Sequence, residues 1–187
     1  MVQTPIKPLT LENFLTLPET EPASEYFNGI ITQKPMPQGE HSAIQTELSA
    51  AINLQLKSAK VARAFTELRC TFGERSIIPD VSIFLWNSIP RNEHGGIANV
   101  FSIAPDWTIE ILSPDQSQTK VTKNILHCLS HGTQMGWLID PTEQSIFIYA
   151  PDRSTTFFDK PTARLPVPEF AQDFELTVES LFGWLMD

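Results

Sequence analysis

Residues 77–85 read IIPDVSIFL and residues 107–112 read WTIEIL, two apolar runs each interrupted by a single carboxylate, Asp80 and Glu110. Side chains alternate across a β-strand, so Asp80 and Ser82 share one face while Val81, Ile83 and Leu85 take the other. In the second run Ile109 and Ile111 point one way, and Thr108, Glu110 and Leu112 the opposite way. Each strand therefore sets one carboxylate in an otherwise apolar setting. An unpaired charge is costly there, so a positive partner is expected. Pro79 inside the first strand points to an edge or a bulge.

Around these strands the pattern is mixed. From His41 to about Ser58, Ile44, Leu48, Ile52 and Leu56 recur every four positions, which predicts a long amphipathic helix. Three strands follow, over 61–72, 77–85 and 107–112, the last two separated by a loop over 86–105 that contains Gly95-Gly96. A second helix is expected over 117–131, with Val121, Ile125, Leu126 and Leu129 as its apolar stripe and Gly132 as its stop. Further strands are expected over 135–139, 144–149 and 155–158, and a closing helix over 178–186. Upstream, Thr10 caps a short helix that runs to Leu17 and is ended by Pro18. Glu25-Tyr26-Phe27 and Ile30-Ile31-Thr32 flank Asn28-Gly29, a strong hairpin signal because both turn residues tolerate positive φ. The order helix, three strands, helix, strand is that of an α/β sandwich built on a mixed β-sheet.

A chain of 187 residues suits a single domain over 1–187, here a core over about 10–150 and a C-terminal β/helix extension over 151–187. Its 41% apolar content excludes wholesale disorder, and no run approaches the roughly 18 apolar residues that span a membrane. The opening MVQTPIKPLTLENFL has no continuous apolar segment of the secretory kind. Cys70 and Cys128 are too few for a disulfide scaffold and fit a reducing cytoplasm. Thirteen Lys and Arg against 22 Asp and Glu give a net charge of -9, which argues against broad coating of nucleic acid. The excess lies at the two ends, and residues 57–139 are near neutral, with Lys57, Lys60, Arg63, Arg69 and Arg75 outnumbering Glu67 and Glu74. That segment reads either as a locally positive surface or as an ordinary solvated face.

Two acids on neighbouring strands suit a divalent cation, since Mg²⁺ binds one or two protein carboxylates and keeps waters and substrate oxygens in its shell. The alternative is a pair of strand-end acids bonded to Arg69 or Arg75. Other constellations are weaker. His127 and His131 stand at i and i+4, a zinc-compatible spacing, but the HExxH glutamate is absent, and Cys70 and His94 do not complete a set. Histidines at a helix end, beside the negative end of its dipole, are the simpler reading. No G-x-S-x-G motif or phosphate-binding glycine loop occurs. Phe147, Tyr149, Phe157, Phe158, Phe170 and Phe174 lack interleaved bases and read as core and dimer surface.

Glu25–Gly29, His41 at the helix start, PDVS at 79–82, EILSP at 110–114 and the stretch from Gly132 to Pro141 together resemble the Uma2-like (DUF820) family. That family of endonucleases is abundant in cyanobacteria and sits within the PD-(D/E)XK superfamily. The resemblance implies a restriction-endonuclease-like fold, a mixed sheet flanked by helices, with Asp80, Glu110 and the main-chain carbonyl of Ile111 holding Mg²⁺ or Mn²⁺. Glu25 supports the ion and His41 is accessory. The lysine that often stands two residues after the glutamate is here Leu112, and the helix position where relatives supply one is Asn124. Lys120, one helical turn earlier, becomes the candidate cation, and Lys123 lies beside Asn124 but rotated by about 100°. The implied activity is metal-dependent hydrolysis of DNA phosphodiesters in the cytoplasm. A homodimer is expected through the apolar C-terminus around Phe182, Trp184 and Leu185. The missing lysine leaves a non-catalytic nuclease-fold module for DNA or protein binding as the alternative.

Overall fold

The computed structural model describes residues 9–114 and 116–186. The first part of the opening segment, with Lys7, lies outside the described residues, as do Asp115 and Asp187.

Thr10 starts α1 (Leu11–Leu15), its Oγ1 accepting from the Asn13 amide. The hairpin forms as β1 (Ser24–Phe27) and β2 (Ile30–Gln33), with Asn28 at φ 48 and Gly29 at φ 80 in the turn. Those paired positive φ values match the right-handed twist of the strands. α2 (Gly39–Ile52) carries Ile44, Leu48 and Ile52 into the core and ends in one π-helical turn, Asn53–Lys57, which buries Leu56.

The strand expected over 61–72 divides into β3 (Ala62–Thr66) and β4 (Cys70–Phe72). That expected over 77–85 divides into β5 (Arg75–Ile77) and β6 (Val81–Leu85). β3 pairs with β6 and β4 with β5, so one antiparallel ribbon bends midway and passes from one sheet to another. The bend has two local causes. Glu67 adopts φ 49 on one strand, and Pro79 on the other has no N–H to give to a ladder. Asp80 stands at the bend.

β7 (Trp107–Ile111), α3 (Gln118–Leu129), β8 (Met135–Asp140), β9 (Ser145–Tyr149) and β10 (Thr155–Phe158) follow. Gly132, at φ 101, lies just beyond α3. α4 is shorter than expected, Val178–Gly183. A six-stranded mixed sheet has the order β10-β9-β8-β7-β6-β3, in which β7 and β8 are parallel and joined through α3. The ribbon end and the hairpin make a second, four-stranded antiparallel sheet, β2-β1-β5-β4.

Both faces of the large sheet are covered. On one, Val81, Ile83, Ile109, Ile111, Trp137 and Ile139 pack with α2 and with Leu165, Phe174, Leu176, Leu181 and Phe182 from the C-terminal segment. Trp107 and Trp137 meet edge to face with centroids 5.0 Å apart. On the other, Phe84 joins Cys70, Ile77 and Phe101, while Val121, Ile125 and Leu129 of α3 meet Leu138 and Tyr149. Leu126, expected in the α3 stripe, is exposed, because it sits about 100° around the helix from Ile125. Phe182 belongs to the chain's own core, and Trp184 and Leu185, partly buried, pack against it.

Candidate active site

The bend in the ribbon brings the start of β6 beside the end of β7. Asp80 and Glu110, 2% and 4% exposed, are there with Glu25 from β1 and His41 from the first turn of α2. Asp80 is held from several elements at once. Its Oδ2 accepts from the Ile111 amide at 2.7 Å and lies 3.2 Å from His41 Nε2. Its Oδ1 accepts from Lys34 Nζ at 2.6 Å. Its main-chain carbonyl accepts from Gln45 Nε2 at 2.8 Å and from the Glu67 amide at 3.3 Å.

Lys34 is the positive partner that the buried acids require, and it comes from the end of β2. It also donates to the Ile78 carbonyl at 2.8 Å and pairs with Glu67 at 3.3 Å. The sequence held a signal for it. Glu25 and Thr32 are opposite one another in the hairpin register, and Lys34 follows Thr32 by two residues, on the same side of the extending strand. Arg69 and Arg75 do not play this part. Arg69 binds the Ser24 carbonyl, Ser76 Oγ and Glu19, and Arg75 donates to the Lys123 carbonyl at 3.4 Å.

The electrostatics are uneven. Burial disfavours the charged form of Asp80, but Lys34 and His41 outweigh it and hold the carboxyl down at about 2. Burial also opposes the Lys34 ammonium, yet Asp80, Glu110 and Glu67 raise it above its ordinary value. Glu110 goes the other way. Burial and the neighbouring Asp80 push its carboxyl well above the usual range, and its Oε1 is buried without a hydrogen-bond partner.

Glu25 accepts from the Ile78 amide at 3.0 Å and, through both oxygens, from Asn124 Nδ2 at 3.2 Å. At Asn124, where the family resemblance implies a lysine, an amide thus orients a glutamate. Lys120 borders a small recess with Glu25, Lys34, Glu110, Gln116 and Asn124, whereas Lys123 lies farther out along α3. A larger cleft of about 470 Å³ opens onto Lys34, His41 and Asp80. Ile111 follows Glu110 in β7, and the group it gives to Asp80 is its amide.

Among the described residues no three His, Cys, Asp or Glu side chains come together as a metal-binding group. A protein-only zinc cage is therefore not formed among them. Two carboxylates at adjacent strand ends, one with an unpartnered buried oxygen, suit an ion such as Mg²⁺ that keeps most of its waters. His127 and His131 serve packing. Their rings lie 4.7 and 5.3 Å from that of Phe72, and His127 Nε2 is 3.1 Å from the Phe72 carbonyl. Burial, with Arg75 and His131 nearby, lowers His127 to about 4.

Among the described residues no helix is long and apolar enough to cross a membrane. No curated protein matches the chain. A solved structure from Anabaena variabilis ATCC 29413, described as “a putative nuclease belonging to DUF820”, is similar at 66% identity and a TM-score of 0.94. The match covers 95% of this chain and 99% of that one. Residues 11–179 match the Uma2 family, described as “Putative restriction endonuclease”, and the chain, with its nuclease fold, belongs to that family.

Proposed function

We propose that the chain is a Mg²⁺- or Mn²⁺-dependent endonuclease that hydrolyses DNA phosphodiesters by attack of water, with Asp80, Glu110 and the Ile111 carbonyl as the metal ligands. The observation that carries this reading is the buried, unpartnered Oε1 of Glu110 beside Asp80, at the small recess that Glu25, Lys34 and Lys120 also border. A divalent cation bound there supplies charge neutralisation and a water of lowered pKa. The chain's own groups do the rest. The Ile111 amide and His41 fix the rotamer of Asp80, and Asn124 and the Ile78 amide fix Glu25 at the edge of the recess. Lys34 keeps a positive charge beside the acids and stabilises charge developing on the phosphate, with Lys120 as a second cation at the rim.

Lys34, just past β2, supports the catalytic reading over a non-catalytic module, because it offers a cation where Leu112 and Asn124 do not. Cytoplasmic action fits two buried, free cysteines. A single copy has one site and cuts one strand at a time, whereas a homodimer cuts both. The test is metal-dependent conversion of supercoiled plasmid at low salt. Wild type is expected to cut with Mg²⁺ or Mn²⁺, and Asp80→Asn and Glu110→Gln to lose at least about a hundredfold in rate. Nicked circles appearing before linear DNA indicate one active copy, and direct linearisation a pair. Cleavage that survives both substitutions overturns the assignment, and wild type that binds DNA but cuts with neither metal establishes the non-catalytic module.

A further inference from the structure

A second groove, of about 280 Å³, lies between α3 and the hairpin sheet. Its composition follows from strand alternation. The hairpin face that turns Glu25 inward also carries Phe27 on β1, with Ile30 and Thr32 opposite on β2, and Arg75 pairs with Phe27 from β5. Across the groove, α3 contributes Lys120, Lys123 and Asn124. Phe27 and Ile30 are 42% and 63% exposed, an apolar floor left open to solvent. Arg75, from the neighbouring strand, covers one face of the Phe27 ring, its guanidinium 3.6 Å from the ring centroid and one N–H on the Lys123 carbonyl, so the remaining exposed surface of Phe27 and Ile30 forms the floor. The inner end of the groove reaches Glu25 and Asn124, which also border the recess holding Glu110 and Lys34.

The two openings of the site differ in charge. The 470 Å³ cleft carries Glu19, Glu21, Glu67 and Asp80 against Lys34, whereas the 280 Å³ groove carries Arg75, Lys120 and Lys123 against Glu25. A polyanion is repelled by the first and attracted by the second. An apolar floor under a cationic rim matches a nucleotide, whose base is flat and apolar and whose phosphate is charged. At about 280 Å³ the groove is of a size for one nucleotide.

We infer that this groove is a subsite for one unpaired nucleotide next to the bond being cut, its base against Phe27 and Ile30 and its phosphate on Lys120 and Lys123. The inference rests on the nuclease reading for its place beside the reacting bond. Its consequence is a preference for DNA in which a nucleotide is already out of the stack, at a bulge, fork or single strand, because extruding one from intact duplex first requires unpairing and unstacking it.

The test uses labelled oligonucleotides of one sequence, fully paired or with a single bulged nucleotide, and reads binding by fluorescence anisotropy without divalent metal. Wild type is expected to bind the bulged DNA about tenfold more tightly. Phe27→Ala, Lys123→Ala and the charge reversal Lys123→Glu are expected to reduce that preference to about twofold or less, with native circular dichroism. Equal affinity of wild type for the two DNAs, or a preference that all three variants retain, overturns the subsite. Cleavage of the same DNAs separates the two readings. A preference in binding without any cleavage removes the hydrolytic assignment and keeps the subsite, and cleavage without preference removes the subsite alone.

Discussion

Lys34 makes three polar contacts with groups that nothing else positive reaches as closely among the interactions described, and its removal therefore has a defined cost. Lys34→Met leaves Asp80 buried without its ammonium partner and Glu110 without that nearby positive charge, which at a buried pair costs about 3–5 kcal/mol. Urea unfolding without divalent metal is expected to show that loss. Added Mg²⁺ or Mn²⁺ is then expected to raise the melting temperature of Lys34→Met more than that of wild type, since the ion substitutes for the missing charge. Equal metal-induced shifts in the two proteins would count against a cation at this place. Asp80 and Glu110 were legible in the sequence because a carboxylate in an apolar strand stands out. Lys34 was not, because a lysine at a hairpin end reads as solvated until the register of β1 and β2 sets Thr32 opposite Glu25 and so puts Lys34 on the same side as Glu25.

At the scale of elements, the C-terminal turn of α3 is clasped against the turn between β4 and β5. A Cβ on Gly73, at φ 53, would stand 2.1 Å from His131 Nε2 and 2.9 Å from His127 Cε1, so backbone and rings are in contact. His127 pays for this packing in acid. Its folded value is about 4 against an ordinary 6.5, so between these values the unfolded chain binds a proton that the folded chain does not. Stability is expected to fall as pH drops through that window, by a total on the order of 1–3 kcal/mol, and to change no further from this group below it. Chemical denaturation of wild type and His127→Gln at pH 7, 5.5 and 4 checks this, the variant losing that part of the slope. The histidines at i and i+4 announced a helix end in the sequence, but not what they pack on. Likewise, the apolar run of 77–85 does not reveal that β5 and β6 belong to different sheets. Pro79 marked an irregularity, but the destination of each half depends on Glu67 at φ 49 on the partner strand and on non-local pairing with β1. The aromatic C-terminus showed its hydrophobicity plainly, while its packing against α2, more than a hundred residues upstream, did not follow from any local pattern.

For the whole molecule, the net charge of -9 acquires a geography: acids at one mouth of the site, bases at the other, and part of the excess buried as the candidate ligands themselves. The seam between β6 and β7 matters in another way. Asp80 lies before the long connection over 86–105 and Glu110 after it, and Gly95-Gly96 at its tip is exposed. A gene divided between those two glycines yields a front piece with the hairpin, Lys34 and Asp80, and a rear piece with Glu110, Lys120 and Asn124. Neither piece has a complete site, so co-expression is expected to restore metal-dependent nicking while each piece alone, at equal concentration, gives none. Nicking by one piece alone would contradict a site shared across the seam. The protein thereby becomes a two-part reporter, silent until its halves are brought together.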